Sequence, residues 1–563
     1  MAYKLRMMVL TFLTMMLLTI GASAETLKIG LYYGDTALYS ANLQNYQGSG
    51  YQVGYYNEDT REFFAVGEIE EEKISMTVDG TIYISGGTYY SKEPSHMDQK
   101  IGGYHLALDA CFATFDEAQY AASQMEGGFV AYVNDSYRVW VGSYQTADEA
   151  GLSVEDSIIW YDMLGTEYAS TGTIVAPSET GIVVTKTTTD TILFYFDCGG
   201  SRHLSILPQN GEDKAITWFK GYKWYGCFQY RRSGNRLSVI NVVDLEDYVK
   251  GVLPYEMSNS WPLEALKAQA VCARTYALSH LKKHNKTYGF DLCNTTDCQV
   301  YRGTNQSSDL TDNAVDQTAG MVLTYNGKLA ETYYYSSNGG ATESSANVWN
   351  YAIPYLVGKE DPYESTITIP SYQYSTTYTF HQLSQILEAK GYNFGTVCDV
   401  YVSRYSATGN VEEITFLNTA DRKLIFTGER CKTIFYTTMF GATKSVKSMR
   451  FEIIGGSGGV KSYYINDTNH TLKGLSNGYL ISGSGTVTKV TAGNSWVITS
   501  SGTSQLQEMA NNSTASNQIT ITGTGSGHNV GMSQWGAKAM ALLGYRYQDI
   551  LDFYYTGTTL QVR

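Results

Sequence analysis

A single carboxylate, Glu256, stands in the otherwise uncharged segment VLPYEM, directly ahead of a stretch that carries helix start signals. A glutamate that gives a proton to a leaving group and then takes one back needs a pKa near the working pH. Apolar neighbours raise a carboxyl pKa and the amide end of a helix lowers it. The residues alone leave open which effect prevails, and equally leave open a solvated turn residue. Asp244, Glu246 and Asp247 lie close by in the chain and read as a polar loop or strand edge rather than as chemical partners. His528 sits in the glycine-rich loop GTGSGHNVG, a composition that lets backbone approach a ligand closely; a loop histidine bonded to a carbonyl is the other reading. The loop lacks the Lys-Ser/Thr ending of a phosphate-binding loop. Cys293 and Cys298, in DLCNTTDCQVY, are the one local pair among eight cysteines. A loop disulfide, a metal site and two free thiols are all open for them.

These side chains need elements to hold them. After Glu256, Ser260 can cap a helix and Pro262 suits its first turn. Leu263, Leu266, Ala270, Ala273, Ala277 and Leu281 recur at three- and four-residue steps, the spacing of one buried helical face. Cys272 falls inside that helix as a packed thiol. Upstream, ILFYFDCG, KAITWFKGYKWYGCFQYRR and RLSVINVVD read as strands; downstream, DLTDNAVDQTAG and FHQLSQILEAKG read as helices and MVLTYNG as a strand. Residues 455–520, rich in Gly, Ser, Thr and Asn, predict strands and loops. The chain closes on two helices, MSQWGAKAMALLG and YQDILDFYY. The fold class expected is α+β, in a β-rich multidomain chain.

The segment VVDLEDYVKGVLPYEM, followed by WPLEALKAQAVCARTYA, resembles the signature of the SpoIID/LytB family of bacterial cell-wall proteins. The block at 523–560, GTGSGHNVGMSQWGAKAMALLGYRYQDILDFYYTGTTL, is similar to the family's closing motif, and YYYSSNGGATESSANVW (333–349) and PYLVGKEDPYE (354–364) match its middle. The resemblance implies a peptidoglycan lytic transglycosylase with Glu256 as catalytic acid/base, cleaving MurNAc–GlcNAc bonds of peptide-stripped glycan strands. Two-carboxylate hydrolases need a second acid. A transglycosylase needs only one, because the sugar's own 6-hydroxyl closes on C1 to leave a 1,6-anhydro end. The resemblance further implies substrate contacts from Arg274, Tyr276, Ser336, His528 and Gln534. Arg274 equally reads as an anchor for a neighbouring loop, and Ser336, Ser337 and Thr342 equally read as turn-formers. Where the family usually has Gly, this chain has Asn529, which also tolerates left-handed backbone. Some relatives carry a zinc, which here implies Cys293, Cys298 and His284 as ligands, with Asp297 beside them; the reaction itself requires no cofactor. The LytB side of the resemblance implies the alternative of a non-catalytic, glycan-binding enhancer of a cell-wall amidase. A purely structural envelope protein is a third reading, suggested by 48 Tyr and 55 Gly.

Residues 1–24 read as a secretory signal peptide: Lys4 and Arg6, an apolar run from Met7 to Ile20, and Ala22-Ser23-Ala24 for cleavage. That predicts a secreted or wall-associated protein with no transmembrane segment in the mature chain. Four regions are expected: the signal peptide, a β-rich region at 25–100, a small α+β domain at 102–178, and the family-like domain at 183–563. The middle region predicts the order βαββαβ, with ADEAGLSVEDSIIWYDML as its second helix. Its YRVWVGSYQTADEA resembles the second half of SPOR domains, which bind peptide-stripped glycan; an ordinary α+β accessory domain is the plain alternative. A formal net charge of −14 argues against nucleic acid and anionic membrane surfaces. A sugar polymer would be held by stacking and hydrogen bonds.

Overall fold

The computed structural model describes residues 25–152, 158–455 and 517–563, and between 456 and 516 the backbone of three hairpins, Lys461–Ile465 with Thr468–Leu472, Tyr479–Ile481 with Val487–Lys489, and Trp496–Thr499 with Gly502–Gln505. The expected signal peptide lies outside the described residues. The chain divides into two compact units: residues up to Ser260 together with Ala277–Gly320, and Trp261–Tyr276 together with Met321–Arg563.

In the first unit a seven-stranded sheet positions Glu256. Its strand Arg236–Asp244 carries a run of branched side chains, Val239, Ile240, Val242 and Val243, each at most 2% exposed, as suits a strand covered on both faces. The strand Thr26–Tyr32 pairs antiparallel with it, Thr26 opposite Asp244 and Leu27 opposite Val243. On its other edge the same strand runs parallel to Leu292–Cys293. The N-terminal strand therefore ties the segment leading to Glu256 to the segment bearing Cys293. Lys28, 4% exposed in that strand, is neutralised by Glu58 at 2.6 Å.

A ten-stranded sheet makes up much of the rest of this unit. At one end it runs Thr173–Val175, Tyr104–Ala107, Ser136–Tyr144, Gly128–Val133, with the helix Phe115–Ala122 packed against Gly128–Val133 and Ser136–Tyr144. This is the split βαβ order expected for 102–178. The sheet continues without a break, Val130 pairing in parallel with Phe194 and Val183 antiparallel with Thr77, so hydrogen-bonded pairing crosses the boundaries expected near residues 100 and 180. Within the stretch expected as one helix, Ala147–Leu152 is helical and Ile158–Tyr161 is a strand paired with Glu167–Ser170. Ile158, Ile159, Trp160 and Tyr161 are β-branched or aromatic and favour strand. The cross-strand pair Trp160–Tyr168 stacks with centroids 5.5 Å apart.

In the second unit the expected helix in 366–450 spans Phe380–Ala389, begun by a Thr379/Gln382 capping box. The closing helices span Gln534–Leu542 and Tyr547–Tyr554, and the final strand Thr559–Val562 pairs with Met321–Tyr325. The long helix Leu263–Ser279 is buried on nearly every side from Ala268 to Leu278, not along one stripe. Ser260 does not start it: its hydroxyl lies 3.0 Å from Ser258, and the Pro262 carbonyl accepts the first helical bonds, from Ala265 and Leu266. Among the described residues no helix is long and apolar enough to cross a membrane.

Candidate functional site

Glu256 is the last residue of a helix, Leu245–Glu256, not part of a free turn. Asp244 starts that helix by accepting the N–H of Glu246 at 2.8 Å and of Asp247 at 3.4 Å. Tyr248, Val249, Val252 and Leu253 bury its inner face. The helix therefore presents Glu256 at its carbonyl end, with Met257 buried behind it and Ser258 to Ser260 exposed. Glu256 is half-buried, and its Oε1 accepts the backbone N–H of Val300 at 2.8 Å.

The peptide that makes this bond is itself fixed on both sides. Tyr248 donates its hydroxyl to Gln299 Oε1 at 3.1 Å. Tyr301, 1% exposed, donates to Asn241 Oδ1 at 2.6 Å. The Tyr301 ring lies directly over Gly251, where a Cβ would come within 2.3 Å of Cε2. Gly251→Ala is thus expected to cost about 1–3 kcal/mol through overpacking and to shift the Val300 amide. A lowered Tm with a loss of activity larger than the stability change accounts for is the expected readout.

The other carboxylates near Glu256 in sequence, which read as a polar loop or strand edge, instead cap and begin a helix, and each has a structural partner. Asp244 caps the helix, Glu246 accepts the Gly320 N–H at 3.1 Å, and Asp247 pairs with Lys214 at 2.6 Å. Burial, the largest influence on Asp247, pushes its carboxyl above the usual range against the pull of Lys214.

Two residues before Val300 lies Cys298, within a tight donor cluster. One atom from each of His284, Cys293, Asp297 and Cys298 falls within 4.8 Å of the others. His284 Nε2 is 3.3 Å from Cys298 Sγ and 3.3 Å from Asp297 Oδ2, and Cys293 Sγ is 3.9 Å from that oxygen. Bond lengths of about 2.0–2.3 Å to a tetrahedral zinc imply ligand separations of about 3.3–3.8 Å. The donor set and its spacing fit that ion. Both thiols are free. The hydrogen bond from Cys298 draws the Cys293 thiol down to about 5, while Cys298, holding the shared proton, is pushed up.

The remaining expected site residues belong to the second unit. Arg274 is 0% exposed and donates Nη1 to the Met321 carbonyl at 3.1 Å. Tyr276 is 6% exposed, its ring 6.0 Å from that of Tyr333. Both are packed in the interior, because the helix bearing them is buried on nearly every side. Ser336 is half-buried, and its carbonyl accepts the Trp535 N–H at 3.0 Å. Gln534 is 7% exposed, with its amide 3.5 Å from Gln269 Oε1. Thr342 turns its hydroxyl to the Val357 carbonyl at 3.0 Å.

His528 accepts the Val530 N–H at Nδ1, 3.1 Å, which places its proton on Nε2, 3.2 Å from the Tyr334 carbonyl. The imidazole packs between Tyr335 and Trp349, centroids 5.0 and 5.2 Å away. Burial, helped by Lys432, lowers its pKa to about 3, so the ring is neutral throughout the physiological range. The unfolded chain takes up a proton below about 6.5 and the folded one does not. Stability from this group is therefore complete above that pH and is lost as pH falls towards 3. At pH 5 the loss is about 2 kcal/mol. Buried Glu364, whose pKa is raised, works in the opposite sense. The comparison that isolates His528 is wild type against His528→Gln, which should show a smaller drop in Tm between pH 7.5 and 5.

Asn529 takes φ +66° in the left-handed region, as its place in the loop requires. Its amide nitrogen also donates to the Asn338 carbonyl at 2.7 Å and the Ala341 carbonyl at 3.2 Å, and its oxygen accepts the Met449 N–H at 3.2 Å. A glycine here would supply the turn but none of these bonds. The organiser of this loop cluster is a residue the sequence did not single out, Glu364. It is 1% exposed and accepts from the Ser337 hydroxyl at 2.8 Å, from the N–H groups of Asn338 and Gly339 at 2.7 and 3.0 Å, and from the Ser533 hydroxyl. The SSNGG segment and the start of the Gln534 helix are thereby pinned to one carboxylate. Val300 was likewise invisible beforehand, since it acts through its backbone.

Comparison with known proteins agrees with the motifs. The family model described as Stage II sporulation protein (SpoIID) matches residues 233–325, the span that contains Glu256, Val300 and the donor cluster. An uncharacterized protein of Brachyspira hyodysenteriae is 31% identical over 60% of this chain and 73% of its own length. The amidase enhancer of Bacillus subtilis is 34% identical over 55% of this chain, covering 40% of that longer protein. Stage II sporulation protein D of Bacillus subtilis is 28% identical over 58% of this chain and 77% of its own length. The matched segment, which contains Glu256, together with these relatives places the chain in the SpoIID/LytB family.

Proposed function

We propose that the protein is an exported lytic transglycosylase that cuts the MurNAc–GlcNAc bond of peptide-stripped peptidoglycan strands during cell-wall remodelling. The observation that carries this reading is Glu256, held half-buried at a helix end by the Val300 amide, in a segment whose other carboxylates are committed to structure. A lone carboxyl suits this reaction. Glu256 protonates the leaving glycosidic oxygen, then removes the proton from the 6-hydroxyl as that oxygen closes on C1. Because the nucleophile belongs to the same sugar, its effective concentration is high and no second acid is required. Fixing the carboxyl through Val300 keeps it in place for both transfers. Release of soluble sugar from purified peptide-stripped glycan, absent in Glu256→Gln, tests the reading.

The export signal at residues 1–24 supports action outside the cytoplasmic membrane, and the split βαβ segment supports a glycan-gripping accessory role for 102–178. Zinc would be held by Cys293, Cys298, His284 and Asp297. When bound it would supply rigidity rather than a reaction step, since two residues beyond Cys298 the chain makes the amide contact to Glu256. Stripping metal with a chelator should therefore lower Tm markedly, because structural zinc is worth about 10 kcal/mol or more in small sites. Activity should fall with it, and zinc should restore both. An unchanged Tm at full chelation would rule out a bound metal.

The similarity to the Bacillus subtilis amidase enhancer favours a second reading, a glycan-binding protein that stimulates a wall amidase without cutting. Stimulation that persists in Glu256→Ala would select it.

A further inference from the structure

Trp261 and Trp535, which the reaction above leaves unused, lie together in the second unit. Their ring centroids are 4.7 Å apart and the planes inclined by 56°. The ammonium of Lys538 sits 4.5 Å from the Trp535 centroid and 4.9 Å from that of Trp261. Trp535 and Lys538 are three residues apart on the helix Gln534–Leu542 and so share a face. All three side chains are half-buried. Among the described residues Lys538 meets two aromatic rings and no carboxylate, in a chain with 54 acidic and 40 basic side chains. Beside the pair, Gln269 is fully buried and its Nε2 has no partner among the described residues, while its oxygen meets Gln534, the neighbour of Trp535. A buried donor without an acceptor is uncommon and marks a place where a further polar group is wanted. Trp535 is also fixed from behind by its own N–H bond to the Ser336 carbonyl.

We propose that Trp261, Trp535 and Lys538 form a clamp that reads the free carboxylate of a muramic acid residue whose peptide has been removed. The proposal rests on the glycan reading above and names the feature of the strand that is recognised. Indole faces stack on the apolar faces of pyranose rings, and the ammonium pairs with the lactyl carboxylate. In a peptide-bearing strand that carboxyl is an amide, neutral and bulky, so the cation loses its partner. The two indoles hold Lys538 extended beforehand, which reduces the side-chain freedom lost when the carboxylate arrives. Of the three clamp residues, Trp261 follows Glu256 by five residues in the chain.

The test uses the full-length Glu256→Gln protein, which does not consume its ligand, and two soluble probes. One is a peptide-stripped glycan oligomer with free lactyl carboxylates; the other is the same oligomer with those carboxylates converted to methylamides. The free acid should bind at least about tenfold more tightly at low salt, with the gap narrowing at high salt. Adding Lys538→Gln should bring the free acid down to the affinity of the methylamide, while Lys538→Arg keeps the preference and confirms that the fold tolerates change there. Trp535→Leu should weaken both probes alike. Equal binding of the two probes by the parent, or a preference that survives Lys538→Gln, overturns the clamp and leaves the glycan reading standing. Failure to bind either probe overturns both.

Discussion

Glu256→Gln should reduce the cutting of peptide-stripped glycan by about 10²–10⁴-fold, the usual worth of a positioned acid or base, while leaving Tm almost unchanged. The side chain keeps its size, and its remaining carbonyl oxygen can still accept the Val300 N–H that Oε1 accepts now. What is lost is the transferable proton. A residue serving only to cap or brace its helix would behave differently, since an amide would serve nearly as well. Rates measured on the wild type and the variant, at equal folded fraction, separate the two. An activity within a few-fold of wild type would mean that the proton is handled elsewhere.

Glu364→Ala should produce the largest loss of stability. Four donors converge on this carboxylate: the hydroxyls of Ser337 and Ser533 and the N–H groups of Asn338 and Gly339. The Ser337 hydroxyl and the two N–H groups are left unpaired in the interior when the carboxylate is removed, at about 1–3 kcal/mol apiece, while Ser533 keeps only the long contact to the Ser336 carbonyl at 3.4 Å. The costs are not additive, because the loop relaxes, but a total of about 4 kcal/mol or more is expected, in the range reserved for broken buried networks. Equilibrium denaturation should show a lower midpoint for the second unit. A change below about 1 kcal/mol would show that the loop holds itself without Glu364.

The expected secondary structure succeeded where side chains announce their position and failed where signals conflict. The Phe380 helix was readable because Thr379 and Gln382 form a reciprocal cap ahead of Leu383, Ile386 and Leu387. The Leu245 helix carries comparable signals, with Asp244 as cap and Val249, Val252 and Leu253 at helical spacing, but it also holds Pro254, a residue disfavoured inside a helix. Only two residues of helix follow that proline, so the bond it removes costs little, and Glu256 ends up inside the helix. The segment Ile158–Tyr161 failed the other way: the acidic stretch before it suggested a long helix, and its bulky side chains chose a strand.

The same division holds at the site. Glu256, the Cys293–Cys298 pair with His284, and the left-handed Asn529 were legible because residue type and motif pointed to them. The support given by Val300 is a backbone amide and leaves no trace in composition. Glu364 lies within a quoted motif, yet its partners are 25 residues or more away in sequence, and only the fold brings them to it. The motif that holds Arg274 and Tyr276 implies a ligand contact for both, and for Arg274 equally an anchor; both side chains are buried, and Arg274 donates to the Met321 carbonyl.

The most direct measurement is mass spectrometry of the sugars released from purified peptide-stripped glycan in water enriched in heavy oxygen. Ring closure by the 6-hydroxyl predicts 1,6-anhydro ends, each lighter by one water than a hydrolysis product, with no heavy oxygen incorporated. Reducing ends that carry the label would contradict a single-carboxylate transglycosylase and require a second catalytic group beside Glu256.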